Sequence, residues 1–405
     1  MSNHPNNSGN PASSRPVAGH TSFIAVCAAG ALALAIAMGI GRFAFTPMLP
    51  LMVREGSVDL ASGGWLAAAN YAGYLLGAVT AARMALTPQR LGLVALGTIA
   101  LTTAAMGWTA SVGPWLLLRF VAGVASAWAL VSTSVWGLAW LARFERPAGA
   151  GMLYAGVGSG IALAGLWCWQ AGVAGVRADT LWLQLGGLAL LLGGAVAVWM
   201  PRTTPVSPAA ASAPAEAGTG RADWSLVICY GVLGFGYILP ATFLPVLARA
   251  VLDDPAVFGA AWPVFGAAAA LSTWLASVLL RGVGRLRLLA LCHLLMAIGC
   301  LLPVLHLSAS SVLAAALLVG GTFMVATMAG MQEARARASH NPTAALGRMT
   351  AAFAIGQMAG PMLSSLLSTR SAHGFTGLFI ALAVGALALL ASAAWLWRER
   401  PAPSF

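Results

Sequence analysis

Two arginines in apolar surroundings are the residues of this sequence most suited to bind a charged ligand. Arg42 and Arg119 are its only formally charged residues well inside long apolar runs. A cation at membrane depth costs about 2.5 to 3.5 kcal/mol on insertion scales, so each should face the protein interior or a wet cavity. A guanidinium placed there can bind a carboxylate or phosphate through two parallel hydrogen bonds. The structural alternative is that each donates to backbone carbonyls freed by Gly39, Gly41 and Pro47.

A second set of candidates is polar but uncharged. Asn70 and Tyr74 lie one turn apart on one predicted helix, and Gln357 lies in a glycine-rich stretch. Tyr237 takes the place of Arg42 in a repeat described below and could complete an anion site with its hydroxyl. The competing interpretation is hydrogen bonding that packs helices together, worth on average about 0.6 kcal/mol per bond.

The acidic residues point away from a buried carboxylate. All ten map to loops or helix ends, so we expect none inside the spans to carry a proton or bind an organic cation. His293 is the one deeply placed imidazole, and a hydrogen-bonded core histidine is favoured over a proton carrier. Coupling through substrate protonation or a loop-edge acid stays open.

Residues for enzyme or metal chemistry are missing from the sequence. The five cysteines lie in apolar runs without C-x-x-C or ligand spacing, and they are interpreted as small buried hydrophobes. We find no H-E-x-x-H, glycine-rich phosphate loop or Ser-His-Asp arrangement. We therefore predict no catalytic residues, no metal, no cofactor and no enzyme activity.

Composition sets the elements that must position these residues. Of 405 residues, 60% are hydrophobic and 8% charged, whereas soluble domains carry about 25% charged residues. Mean hydropathy is +0.85. Apolar runs near twenty residues are long enough to cross about 30 Å of hydrocarbon. They predict twelve helices, over 22–52, 61–82, 91–110, 114–141, 150–171, 180–200, 224–250, 259–280, 287–306, 309–332, 346–369 and 375–397.

Charge sets the orientation of these helices. All 21 basic residues are arginine and are scattered between apolar runs, which argues against a nucleic-acid partner. With cytoplasmic termini, fifteen arginines fall on the inside and four in outside loops, as the positive-inside rule requires.

The predicted parts are a disordered cytoplasmic N-terminus, an N-terminal six-helix bundle, a Pro- and Ala-rich cytoplasmic linker, a C-terminal six-helix bundle and a cytoplasmic tail, over 1–21, 22–200, 201–223, 224–397 and 398–405.

The two halves repeat. "GIGRFAFTPMLP" from residue 39 aligns with "GFGYILPATFLP" from residue 234, an offset of 195, which pairs Arg42 with Tyr237. Residues in these segments expected to bend the two helices are Gly39, Gly41, Pro47, Pro50, Gly234, Gly236, Pro240 and Pro245. Small-x-x-x-small pairs, which let helix backbones approach closely, occur at Gly156 and Gly160 and again at Gly356 and Gly360. Equivalent helices in both halves imply a parallel repeat about an axis along the membrane normal.

Twelve helices in two such halves resemble the major facilitator superfamily (MFS) of secondary transporters. "LLLRFVAGVASA", with Arg119 and Gly123, is similar to the superfamily's l-x-x-x-R-x-x-x-G pattern, and "GQMAGP" resembles its glycine-proline signature. "MGIGRFAFTPMLPLM" and "YGVLGFGYILPATFLPV" closely resemble the YbfB/YjiJ family of bacterial transporters. The resemblance implies that helices 1, 4, 7 and 10 line a central pathway, which places Arg42, Arg119 and Tyr237 on it.

The expected protein is an all-α membrane protein of twelve transmembrane helices in two parallel six-helix bundles. We expect a secondary active transporter of a small, anionic or polar metabolite that works by alternating access. The alternatives are a broad-specificity drug or metabolite efflux pump and a non-transporting sensor on the same fold. The expected partners are a small-molecule substrate and the lipid bilayer, with a coupling proton or counter-ion left open. We expect it to work as a monomer in the bacterial inner membrane.

Overall fold

Twelve helices make up the described part of the chain, with no strand among them. The computed structural model describes residues 22–81, 83–146, 149–200, 224–251, 259–279, 283–337, 342–370 and 376–399. The helices are α1 Phe23–Arg54, α2 Leu60–Ala81, α3 Pro88–Met106, α4 Val112–Arg143, α5 Gly149–Val173, α6 Ala178–Trp199, α7 Trp224–Val251, α8 Ala261–Leu279, α9 Arg285–Leu305, α10 Ala309–Arg337, α11 Pro342–Arg370 and α12 Thr376–Arg398. The predicted segments 1–21 and 201–223, and the tail from residue 400, lie outside the described residues.

Length and hydropathy agree with a protein that crosses a membrane many times. Among the described residues, nine helices are long and apolar enough to span a bilayer, and α8 contributes a shorter apolar stretch, Ala261–Ser272. Predicted and observed boundaries agree within a few residues in most helices. The helices α10 and α11 are longer than their apolar runs, because backbone hydrogen bonding continues where side chains become polar.

The first helix changes its winding in the middle. Regular α-helix over Phe23–Leu34 is followed by a π-helical segment, Ala35–Phe43, and α-helix resumes at Phe45. The wider π turn contains Arg42, and short π segments occur often at functional sites. Its repeat mate α7 stays α-helical through Pro240 and Pro245.

Glycines let the equivalent helices of each half touch along their backbones. A Cβ added at Gly156 would overlap the backbone of Ala31, and one at Gly160 would overlap that of Ala35, so α5 lies against α1. In the second half, a Cβ at Gly356 would overlap the backbone of Gly231, so α11 lies against α7 in the same way. Each half therefore repeats one close crossing of its first and fifth helices.

The halves meet along symmetric pairs of helices. The helix α2 packs on α11, α5 packs on α8, and the last part of α1 packs on α7. Exchanging the halves converts the α2–α11 pair into the α8–α5 pair, as a two-fold axis along the bundle requires. The Thr46 hydroxyl donates to the carbonyl of its own repeat mate, Ala241, at 2.9 Å, which places this contact on that axis.

Hydrogen bonds join the halves toward the end of the bundle that carries the α1–α2 loop, here called the joined end. Arg249 donates to the Pro50 carbonyl at 2.8 Å. Ser365 donates to the Ala61 carbonyl at 3.0 Å. These contacts hold α1 against α7 and α2 against α11.

Candidate functional site

Arg119 on α4 supports the backbone of the π segment. Its guanidinium donates to the carbonyls of Gly41 at 3.3 Å and Arg42 at 3.1 Å. Asn70 on α2 donates to the Arg119 carbonyl at 2.9 Å and, at 3.4 Å, to Gly41. Because Pro47 has no amide hydrogen and the winding changes here, carbonyls in this turn need donors from outside the helix. Arg119 and Asn70 supply them.

Arg42 points elsewhere. It is 2% exposed, and its Nη2 donates across the interface to Oε1 of Gln357 on α11. Nε2 of Gln357 donates in turn to the hydroxyl of Tyr237 on α7. The chain of contacts from Arg42 through Gln357 to Tyr237 thus connects three helices and both halves. We call these three residues the central site.

Aromatic rings surround the Arg42 guanidinium. Its central carbon lies 4.0 Å from the ring centroid of Tyr74, 5.0 Å from Tyr71 and 5.3 Å from Phe43. Such cation–π contacts are worth about 2 kcal/mol each when water is excluded. They hold a cation in place without neutralising its charge.

The Tyr237 ring stacks with two phenylalanines. Its ring lies 5.3 Å from Phe323 at an interplanar angle of 3° and 5.5 Å from Phe353 at 10°. This stack of α10, α7 and α11 rings leaves the hydroxyl as the polar tip directed at Gln357. The second half therefore presents an aromatic wall with one hydroxyl and one carboxamide toward Arg42.

The two buried arginines at and beside the central site have no balancing carboxylate among the described residues. Both Arg42 and Arg119 are buried, and in the described part of the chain neither pairs with a carboxylate. The Nε atoms of both arginines have no hydrogen-bond partner there. Buried charges in proteins are ordinarily paired, so a site that holds an unpaired cation favours an anion from outside the chain.

One acidic residue departs from the sequence-based expectation. Glu333, near the end of α10, is 1% exposed, so the prediction that no carboxylate is buried is wrong at this position. Arg285 donates to one carboxylate oxygen and Arg337 to the other, each at 3.0 Å. Two arginines neutralise this carboxylate, and they allow it to be buried just beyond the apolar run.

His293 is buried between α9 and α7. Its Nδ1 lies 2.8 Å from the Leu289 carbonyl and its Nε2 lies 3.2 Å from that of Cys229. Both ring nitrogens contact backbone carbonyls of the second half, which are not part of the central site. This arrangement agrees with a core histidine that holds two helices together.

Several site residues escaped the sequence reasoning. Tyr71 contacts Arg42 and its hydroxyl lies 3.3 Å from that of Thr242 in the other half. Phe323 and Phe353 form the wall behind Tyr237. Tyr71 directly follows the candidate Asn70, and Phe323 lies on a helix that the family resemblance placed on the pathway. The sequence therefore contained a reason to consider both residues for the site. Within the described ranges, no group of three or more side chains suited to metal binding occurs.

Solved structures show where this fold occurs. A D-xylose-proton symporter matches with a TM-score of 0.72 and 13% identity, over 94% of this chain and 99% of that one. The nucleoside transporter NupG matches with 0.67 and 13%, over 93% and 99%. A bacterial homolog of the human lysosomal transporter Spinster, inward-facing and occupied, matches with 0.63 and 15%, over 93% and 94%. At these identities the likeness shows the MFS fold alone.

Sequence comparison identifies the family more closely. No curated protein matches the chain. A family model described as the uncharacterised MFS-type transporter YbfB matches residues 34–396, from the start of the π segment almost to the end of α12. This match confirms the resemblance carried by the two repeat segments, and the chain belongs to this family of MFS-type membrane transporters.

Proposed function

We propose that the protein is a secondary active transporter that carries a small anionic metabolite across the bacterial inner membrane. The two halves would rock about the axis near Thr46 and Ala241 and expose the central site to each side in turn. The excess of arginine in the loops on the side of the termini supports a cytoplasmic location for both ends. A single chain contains both halves, so a monomer suffices.

The observation that carries the proposal is the division of labour between the two buried arginines. Arg119 supports the backbone, whereas the guanidinium of Arg42 donates to the neutral carboxamide of Gln357. A cation at the interface of two moving halves, surrounded by aromatic rings and without a carboxylate partner among the described residues, is suited to hold an anion. Arg42 is then the substrate-binding residue, and the Tyr237 hydroxyl contacts the same group.

The energy source belongs to the proposal as well. The xylose transporter with the same fold is described as a proton symporter. In this chain, Glu333 is neutralised by two arginines, and His293 is bonded to backbone. These contacts support coupling through the anion itself, which can bind to Arg42 as a carboxylate and be carried together with a proton or another counter-ion.

A ligand screen with matched compounds tests the proposal. Purified protein is heated in the presence of metabolites offered in pairs, each carboxylate beside its uncharged amide. We expect carboxylates, and not their amides, to raise the melting temperature of the parent protein. The Arg42→Gln variant should lose this response because a charge-assisted hydrogen bond and its Coulomb attraction are removed.

Arg54→Gln is the matched control, because Arg54 lies on the same helix but is exposed at its joined end. It should keep the response of the parent. Binding of a carboxylate by Arg42→Gln as tight as by the parent would rule out Arg42 as its partner.

The aromatic wall favours one alternative, a broad-specificity efflux pump. Such a pump would select its cargo by apolar contact with rings such as Tyr74, Phe323 and Phe353. It would be stabilised by carboxylates and amides alike, and Arg42→Gln would leave that response intact. The same screen therefore separates the two functions.

A further inference from the structure

The Gln357 side chain occupies the place that an anionic ligand of Arg42 would take. It is fully buried, and its carboxamide lies between the Arg42 guanidinium and the Tyr237 hydroxyl. The oxygen accepts from the cation, and the NH₂ group donates to the hydroxyl. A planar head group with two polar atoms thus already sits in the central site.

A carboxylate has the same planar, two-pronged shape as a carboxamide. One of its oxygens could replace Gln357 Oε1 on Arg42. The other could take the position of Nε2, with the Tyr237 hydroxyl changing from acceptor to donor, which a phenol can do. No other part of the site would have to reverse its hydrogen bonding.

The surroundings limit the rest of such a ligand. Both NH₂ groups of the Arg119 guanidinium donate to backbone carbonyls, which leaves Arg42 to neutralise one negative charge. Around Arg42 and Tyr237 stand the rings of Tyr71, Tyr74 and Phe353. One available cation and an aromatic lining suit a single carboxylate on an apolar body.

We propose that the substrate is a monocarboxylate with an apolar or aromatic body, and that Gln357 is a built-in stand-in for its carboxylate. This inference rests on the proposed function, since it takes Arg42 as the anion partner. The substrate must displace Gln357 from Arg42 in order to bind. Displacement also breaks the bond that joins α1 to α11, and the bound carboxylate then joins the two halves through Arg42 on α1 and Tyr237 on α7.

Competition between Gln357 and the substrate has a measurable consequence. While the carboxamide holds Arg42, only a fraction of molecules is ready to bind, and the apparent affinity falls by that fraction. Removing the competitor should therefore tighten binding. Placing a permanent negative charge there should prevent it, because Gln357→Glu would pair with Arg42.

Phenylacetate is the probe. Phenylacetamide is the uncharged comparison compound, and phenylphosphate is the doubly charged one. Affinities are measured by calorimetry on the purified full-length protein. We expect parent protein to bind phenylacetate and neither of the others. Gln357→Ala should bind it about three- to tenfold more tightly, and Gln357→Glu should not bind it while remaining folded.

Gln184→Ala is the matched control, because Gln184 lies on α6 and accepts from Trp167 on the exposed surface. It should bind phenylacetate with the affinity of the parent. The melting temperature without ligand reports the folding of each variant, so a loss of binding in a misfolded Gln357→Glu leaves the Gln357→Ala affinity to decide.

Unchanged or weaker binding of phenylacetate by Gln357→Ala would overturn the stand-in role. Absence of phenylacetate binding to the parent, or a preference for phenylphosphate, would overturn the substrate class. Failure of the proposed function looks different, because Arg42→Gln would then keep the affinity of the parent for whichever anion binds.

Discussion

The two buried arginines differ in what their guanidinium groups contact. Arg119 donates to two carbonyls of the π segment, and Asn70 holds the Arg119 backbone in turn. Arg42 extends across the interface to Gln357. Removing Arg119 should therefore lower stability, and removing Arg42 should weaken ligand binding.

Arg119→Gln should lower the free energy of unfolding by about 2 to 4 kcal/mol, because two buried carbonyls lose charged donors. The measurement is unfolding in mixed micelles as the denaturing detergent is increased. Arg42→Gln should destabilise the protein less than Arg119→Gln does, since the loss of its hydrogen bonding and cation–π contacts is offset by relief of an unpaired buried charge.

Equal stability of Arg119→Gln and the parent would contradict the supporting role of Arg119. Arg54→Gln again serves as the control for loss of an arginine, and it should unfold like the parent.

At the scale of helices, glycines allow close crossings within each half. The α1–α5 crossing uses Gly156 and Gly160, and the α7–α11 crossing uses Gly356 and Gly360. Gly39 and Gly234 complete them from the other side, against Gly160 and Phe353. Because Gln357 follows Gly356, the second crossing also sets the depth of the central site.

Gly356→Ala should destabilise the protein by about 1 to 3 kcal/mol, because the added methyl group overlaps the Gly231 backbone and lies 2.7 Å from Phe235 N. Thermal unfolding measures the effect. A matched control is Gly187→Ala on α6, where no atom lies within 4 Å of the added Cβ.

The control should be neutral or more stable by up to about 1 kcal/mol, since alanine favours a helix over glycine. A Gly356→Ala protein as stable as the control would show that the α7–α11 crossing tolerates a methyl group.

The sequence predicts the spans well and the winding of α1 poorly. Apolar runs predict where helices cross, because hydrocarbon forces each crossing segment to satisfy its own backbone. The π segment over Ala35–Phe43 depends on donors from α2 and α4, which lie 29 and 78 positions from the Gly41 carbonyl that accepts from them. The contact of Arg42 with Gln357 joins residues 315 positions apart. Both were named as polar candidates, but nothing in their local sequence pairs them.

The burial of Glu333 is a second feature that its local sequence does not predict. Glu333 ends an apolar run, so its position alone suggests an exposed helix end. Its burial follows from Arg285 on α9, which approaches only in the folded half. Charges that neutralise one another across helices are visible only once the helices are packed.

At the scale of the whole molecule, two similar halves surround a site that is not symmetric. The backbone framework repeats, from the small-residue crossings to the Thr46–Ala241 contact on the axis. The chemistry does not repeat, because Arg42 faces a tyrosine mate, and α1 carries a π segment where α7 is regular. A repeated framework would let the two halves move in the same way, and in our proposal Arg42 gives the site its preference for an anion.

The central claim is that Arg42 binds the transported anion. Transport into proteoliposomes tests it most directly, with the tightest-binding carboxylate of the ligand screen, and with parent, Arg42→Gln and Arg54→Gln reconstituted at equal amounts. We expect uptake by the parent and by Arg54→Gln. Uptake by Arg42→Gln should fall at least about 30-fold, the effect of losing roughly 2 kcal/mol of buried charge pairing. Uptake by Arg42→Gln at the rate of the parent would contradict the claim.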